Sequence, residues 1–156
     1  MGRKKIEIGD IFELQTNKGY AYMQCVRIPE DKRQDLELVR VYYKVHPSKT
    51  MDISIIQESS FFYLRFVLQA AYNRKIVDKI GNASLEPNFH HPRYFRTENA
   101  FGDGWQIIDS ANWHRETKKE LTAEQKKISP WGTWNDTLLI ERLDEGWTLE
   151  NWKIEK

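Results

Sequence analysis

Few residues in the sequence could carry covalent or metal chemistry. Cys25 is the only cysteine, and a nucleophilic thiol needs a general base and an orienting group close in space. No spacing in the sequence predicts such partners, so we interpret Cys25 as a small buried hydrophobic residue. His90 and His91 are adjacent, so on a strand they would point to opposite faces. Neither a cysteine nor a third histidine stands at a ligand spacing from them, and we expect a polar loop there.

An enzyme built around Cys25 or the histidine pair stays open as an alternative. A carboxylate such as Glu86, Asp103 or Asp109 could complete a metal site in principle, but no pair of acids stands out as a general acid–base couple. The stretch Gly102–Gly104 is too short for a phosphate-binding loop and predicts a hairpin turn. We therefore expect a protein that is not an enzyme and needs no metal or cofactor.

The six tryptophans are the other notable set, because an indole ring can stack on a sugar or nucleobase or anchor a protein interface. They are Trp105, Trp113, Trp131, Trp134, Trp147 and Trp152. In a chain of this size we expect at least half of them in the core. The C-terminal segment 136–156 combines aromatic side chains with six acids against three bases. We predict a partner surface with these contact residues: Asp103, Glu145, Trp147, Glu150 and Trp152.

Composition narrows the class of protein. The 156 residues fit one domain, predicted to span 1–156 with residues 1–5 frayed. The chain has 24 Lys and Arg against 23 Asp and Glu, a net charge of +1. Because proteins that bind nucleic acid usually carry a strongly basic surface, a nucleic-acid partner is not favoured. No apolar run of about 18 residues could span a membrane, and the basic start lacks a signal-peptide core. With a single cysteine, these features predict a cytoplasmic protein without membrane contact.

The elements that must position these side chains are mostly strands. Alternating or continuous apolar patterns predict strands over 11–15, 20–28, 36–45, 61–67, 74–80 and 105–109. The first two should form a hairpin, the third should be half-buried, and the fourth also fits a buried helix. The run 51–57 fits neither a helix nor a strand clearly. Segment 83–104 shows no clear element, and so long an irregular stretch in a small domain indicates either a functional loop or an element that the pattern does not reveal.

Two short helices are predicted near the C-terminus. Thr122 and Gln125 match a capping box, so a helix should begin there and end before Pro130. Residues 136–145 form the second, with Gly146 placed to close it. The predicted fold is therefore α+β: a strongly bent antiparallel sheet, with a barrel-like form as one option, and two short C-terminal helices.

Several segments occur in an order that points to one family. Residues 9–14 and 19–26 give an opening strand and a hairpin. The later segments are 75–82, which ends in Ile-Gly-Asn, the Pro-x-Phe at 87–89, the aromatic strand 105–109 and the closing helix 138–147. Together they resemble the immunity protein 26 family of bacterial polymorphic toxin systems. The resemblance covers roughly residues 8–147 and departs from the family over 110–135, which is longer and more charged.

That resemblance implies a function in binding. An immunity-type protein would bind a cognate protein toxin in the cytoplasm and neutralise it, and the family implies no catalytic residues. The alternative is a small-ligand binding module that uses exposed tryptophans to bind a sugar or a nucleobase. Quenching of tryptophan fluorescence by a small ligand would favour the second hypothesis.

Overall fold

The computed structural model describes residues 4–31, 33 and 35–154. Within them it has ten strands, three α-helices and one 3-10 helix over Gln125–Lys127. The strands are β1 Asp10–Gln15, β2 Tyr20–Arg27, β3 Glu37–Tyr42, β4 Phe61–Phe66, β5 Val77–Asn82, β6 Tyr94–Glu98, β7 Trp105–Asp109, β8 Arg115–Lys118, β9 Ser129–Pro130 and β10 Thr133–Trp134. The α-helices are α1 Ile53–Ile56, α2 Leu68–Asn73 and α3 Asp136–Asp144.

The first sheet has six strands in the order β10-β4-β3-β2-β1-β5. All neighbours are antiparallel except β10, which runs parallel to β4. The predicted β1–β2 hairpin is confirmed, and Thr16 closes it by accepting hydrogen bonds from the backbone of Lys18 and Gly19. The sheet therefore starts from a local turn whose chemistry can be read in the sequence.

Strand β3 was predicted to be half-buried, and this expectation was wrong. Val39 and Val41 face the main core, as the alternation predicts. Arg40 and Tyr42 on the opposite face are also buried. Helix α1 covers Tyr42, because Ile56 packs with Tyr42 in a second apolar cluster on that face. Glu86 and the rings of Phe61 and Phe89 contact Arg40.

The second sheet has four strands in the order β8-β7-β6-β9. Strand β7 was predicted, whereas β6 and β8 lie in stretches with no predicted element. Only Trp131 and Gly132 separate β9 from β10, so the chain crosses from the second sheet to the first within two residues. The backbone N–H of Tyr63 in β4 donates to Ser129 Oγ over 3.0 Å. This short segment joins the two sheets.

The helices differ from the expectation in number and length. Helix α3 is confirmed: Asn135 caps its start, Leu139 and Leu143 are buried, and Gly146 follows it with φ of +77°. Thr122 and Gln125 do exchange the two capping-box hydrogen bonds. The helix that they begin is only a 3-10 turn, so α3 is the single C-terminal α-helix in the described part of the chain. Helix α2 occupies residues 68–73, just before the segment predicted as a strand.

The α+β fold class is confirmed, but the sheets do not close into a barrel. In the described part of the chain, closure would require β10 to pair with β5 in the first sheet, and these are its two edges. The expectation of a frayed start covers residues 1–5, of which 1–3 lie outside the described residues. The backbone carbonyl of Lys4 accepts a hydrogen bond from the Gln69 side chain. The backbone carbonyl of Lys5 accepts one from the Lys79 side chain.

Candidate functional site

The chemically notable residues each have separate partners in the structure. Cys25 lies in β2, fully buried, with Sγ 3.7 Å from the carbonyl oxygen of Arg27. Glu86 forms an ion pair with Arg40, and Asp109 forms one with Arg93. No group of three or more His, Cys, Asp or Glu side chains among the described residues is placed to hold a metal ion.

The predicted C-terminal contact residues divide into exposed and buried ones. Asp103 is exposed in the β6–β7 hairpin, Glu145 is exposed after α3, and Glu150 is exposed in the final segment. Trp152 is half-buried. Trp147 is only 8% exposed and packs against Phe62 and Trp134 at centroid distances of 5.0 and 4.9 Å. Trp147 therefore belongs to the core and offers little surface to a partner.

Half of the tryptophans are buried, as expected: Trp105, Trp134 and Trp147. Trp131 and Trp152 are partly buried. Trp113 is different, because its side chain is 63% exposed. It is also the tryptophan in the described chain with a left-handed backbone, at φ of +61°.

Trp113 lines a cleft of about 370 Å³ between the two sheets, here called the inter-sheet cleft. The lining comes from the end of β2, from β3, β4 and β6, and from the segments before β3, before β6 and after β7. The lining residues are Arg27, Asp35, Leu36, Leu38, Arg65, His91, Pro92, Phe95, Ser110 and Trp113.

Two arginines in this cleft share one carboxylate. Asp35 lies 3.3 Å from Arg65 Nε and 4.0 Å from Arg27 Nη1. The Arg65 guanidinium also stacks 4.2 Å from the ring centroid of Trp131, and burial lowers its pKa. One carboxylate facing two guanidinium groups leaves an excess of positive charge, which suits an acidic side chain or another anion.

The turn after β7 fixes the position of Trp113. Arg93 forms a two-pronged hydrogen bond with the Asp109 carboxylate at 2.8 and 2.7 Å, and this bond lowers the pKa of Asp109. Asp109 also accepts a hydrogen bond from the backbone of Ala111, and its carbonyl accepts one from the N–H of Trp113. A left-handed conformation costs a bulky residue about 1–3 kcal/mol, so this network holds Trp113 against backbone strain.

A second concavity of about 440 Å³ surrounds Arg96 in β6 and is here called the C-terminal pocket. It is lined by Arg96, Trp105, Lys119, Glu120, Leu121, Lys126, Glu150, Trp152, Lys153 and Ile154. Two of the predicted contact residues, Glu150 and Trp152, thus lie together in it. Lysines and tryptophans dominate its walls, so it combines positive charge with aromatic surface.

Arg96 is fully buried at the base of this pocket. Its guanidinium lies between the rings of Trp105 and Trp152, 4.6 and 4.5 Å from their centroids. Nε donates to the carbonyl of Ile128, and Nη2 donates to the carbonyls of Lys126 and Leu149. Nη1 has no hydrogen-bond partner among the described residues. Burial lowers the pKa of Arg96 to about 10.

Comparison with protein-family models, with curated proteins and with solved structures finds no match for this chain. The resemblance to the immunity protein 26 family therefore stays a prediction. No helix in the described part of the chain combines the length and apolar character that a membrane span requires.

Sequence reasoning did not single out Arg65, Arg96 or the strain at Trp113. Residue 96 lies in segment 83–104, which the sequence flagged only as lacking a clear element. Phe95 and Arg96 are neighbours in β6 and are both buried. The strand therefore lacks the pattern of one buried apolar face and one exposed polar face that sequence analysis looks for. An arginine inside a short aromatic run was the available signal, because arginine is rarely fully buried without a reason.

Proposed function

We propose that this protein is an immunity-type binding protein, which holds a cognate toxin inside the cell and blocks its action. The toxin as partner rests on the sequence resemblance. The structural observation that supports protein binding is Trp113, an exposed indole that is held in a strained conformation beside a cleft with excess positive charge. Binding residues are commonly placed on such strained, well-supported turns.

The residue types around Trp113 suit an interface. Trp, Tyr and Arg contribute most often to binding hot spots. Tyr94 is 46% exposed and Arg93 lies beside it, its guanidinium carbon 5.3 Å from the ring centroid. The hydrogen bonds of Asp109 with Arg93, Ala111 and Trp113 hold this turn in place before binding. This lowers the entropy lost when a partner docks. An acidic side chain of the toxin would enter the inter-sheet cleft near Arg27 and Arg65.

The test is co-expression with the toxin candidate encoded beside this gene, followed by growth measurement and co-purification. The wild-type chain should rescue growth and form a stable complex. Trp113→Ala should weaken the complex by at least about 2 kcal/mol while the melting temperature stays unchanged. Phe101→Ala is the matched control, because Phe101 is 92% exposed and lies on the β6–β7 hairpin at the other end of those strands.

Two results would contradict the proposal at different levels. If the Trp113→Ala variant binds the toxin with wild-type affinity, Trp113 is not part of the interface, but the proposed immunity function is not contradicted. Neither rescue nor a complex with the folded wild-type chain would exclude that toxin as partner. Charge reversal at Glu145 and Glu150 provides a further arm, since unchanged affinity there would remove the C-terminal acids from the interface.

A small-ligand binding module is the second candidate function. The inter-sheet cleft, at about 370 Å³, falls within the size range of small-molecule sites. Trp113, which lines the cleft, would report binding through its fluorescence. Saturable quenching by a sugar or nucleobase that Trp113→Phe abolishes would favour this candidate over the toxin.

A further inference from the structure

We propose that the C-terminal pocket binds a phosphate-bearing ligand, with Arg96 as the buried cation and Lys119, Lys126 and Lys153 at the rim. This site is separate from the inter-sheet cleft, and the inference does not depend on a toxin partner.

Arg96 is a buried cation without an ion pair among the described residues. A buried cation is costly unless a carboxylate or another anion faces it. The Arg96 guanidinium contacts three carbonyl oxygens and two indole rings, and the nearby charge of Glu150 acts on it without forming an ion pair. Both N–H groups of Nη1 lack an acceptor among the described residues. An anion in the pocket would supply the missing acceptor and a negative charge in direct contact with the guanidinium.

The wall of the C-terminal pocket carries an excess of positive charge. Four cationic side chains line it against two carboxylates, Glu120 and Glu150. All three rim lysines are exposed or partly exposed, so they can move onto a ligand. Lysine ammonium groups are flexible point charges suited to phosphate oxygens, and arginine supplies a planar pair of donors. A ligand with several negative charges matches this set better than a single carboxylate does.

Access to Arg96 requires a side chain to move, because Arg96 is fully buried. Trp152 covers one face of its guanidinium and also contacts Trp105, at a centroid distance of 4.9 Å. Trp152 is half-buried and stands after the last α-helix, in a segment without regular structure. A ligand that displaces the Trp152 ring would therefore change its fluorescence.

The experiment titrates the full chain with pyrophosphate and with adenosine diphosphate at constant ionic strength, by calorimetry and by fluorescence. Citrate serves as a polycarboxylate control. We expect saturable binding of pyrophosphate, and affinity at least tenfold weaker in a variant that combines Lys119→Gln, Lys126→Gln and Lys153→Gln. The matched control combines Lys18→Gln, Lys44→Gln and Lys75→Gln, removes the same charge and lies outside the pocket; it should bind as the wild type does.

Arg96→Lys keeps a positive charge but loses the planar donor pair, and its binding should weaken if it folds. If Arg96→Lys does not fold, the variant that combines Lys119→Gln, Lys126→Gln and Lys153→Gln still tests the proposal. Tighter binding of adenosine diphosphate than of pyrophosphate would identify a nucleotide as the source of the phosphate. The proposal is overturned if neither phosphate ligand binds at millimolar concentrations. Equal binding of citrate, or equal weakening in the two lysine variants, would overturn it as well.

Discussion

Two arginines on different sheets show how a buried guanidinium can be compensated. Arg40 in β3 donates to the side-chain oxygens of Gln24 and Glu86, so a carboxylate balances its charge. Arg96 in β6 has carbonyl oxygens and aromatic faces as its partners. Because only the first is paired with an anion, the same residue type is structural at one place and a candidate binding group at the other.

The single side chain of His46 should make stability depend on pH. It is buried against Tyr22, with ring centroids 5.3 Å apart. Burial, and then Lys44, lower its pKa below the usual value of 6.5. On acidification the unfolded chain therefore binds a proton at His46 before the folded chain does. Stability from this group is complete above pH 6.5 and is lost as the pH falls through the lowered folded-state pKa.

The free energy of unfolding in urea should therefore fall as the pH is lowered from 6.5 through the folded-state pKa of His46. His46→Gln should reduce this pH dependence. His90→Gln, at an exposed position, is the control and should leave it unchanged. An unaltered pH dependence in His46→Gln would show that His46 does not contribute.

At the scale of elements, α3 shows how local signals define a helix and how packing uses it. Asn135 Oδ1 accepts from the backbone N–H of Leu138 over 2.9 Å, which satisfies one of the free donors at the helix start. Leu139 and Leu143, four residues apart, lie on the face that packs into the main core. The helix thereby leads the chain towards Trp147 and the C-terminal pocket.

Asn135→Ala should lower the free energy of unfolding by about 0.5–2 kcal/mol, because the capping bond is lost. Asn135→Asp keeps an acceptor at the cap and should retain most of the stability. Glu141→Ala, at an exposed position in the same helix, should stay within about 0.5 kcal/mol of the wild type. Urea unfolding would measure all three, and an Asn135→Ala variant as stable as the wild type would exclude a capping contribution.

At the scale of the whole molecule, the segment after α3 joins the two sheets. The N–H of Leu149 donates to the hydroxyl of Tyr43, which follows β3 in the first sheet. The carbonyl of Leu149 accepts from Arg96 in the second sheet. Trp147 packs into the main core between Phe62 and Trp134. The C-terminal segment thus contributes to the core, and its role extends beyond a partner surface.

Trp147→Ala should therefore lower the free energy of unfolding by about 3–5 kcal/mol, the usual cost of truncating a buried aromatic residue. Trp147→Phe should cost less, because it keeps a ring and removes an indole N–H that has no acceptor among the described residues. Trp113→Ala, at the exposed tryptophan, is the control and should change stability little. Calorimetry measures these differences, and a small loss in Trp147→Ala would contradict the core role.

Sequence by itself determined the elements whose causes are local. The β1–β2 hairpin, strand β7, the helix predicted over 136–145 with Gly146 at its end, and the reciprocal bonds of Thr122 and Gln125 all depend on residues a few positions apart. Turn and capping chemistry acts over that range, so a single sequence contains it.

Tertiary structure alone decided the burial of both faces of β3, the pairing of β6 and of β8 with β7, and the two concavities. The inter-sheet cleft joins Arg27, Arg65 and Trp113, and the C-terminal pocket joins Arg96 with Trp152. These residues are distant in the chain and meet through the pairing of strands and the crossing between sheets at Trp131. Contacts of that kind depend on the packing of whole elements, and no local pattern in the sequence encodes them.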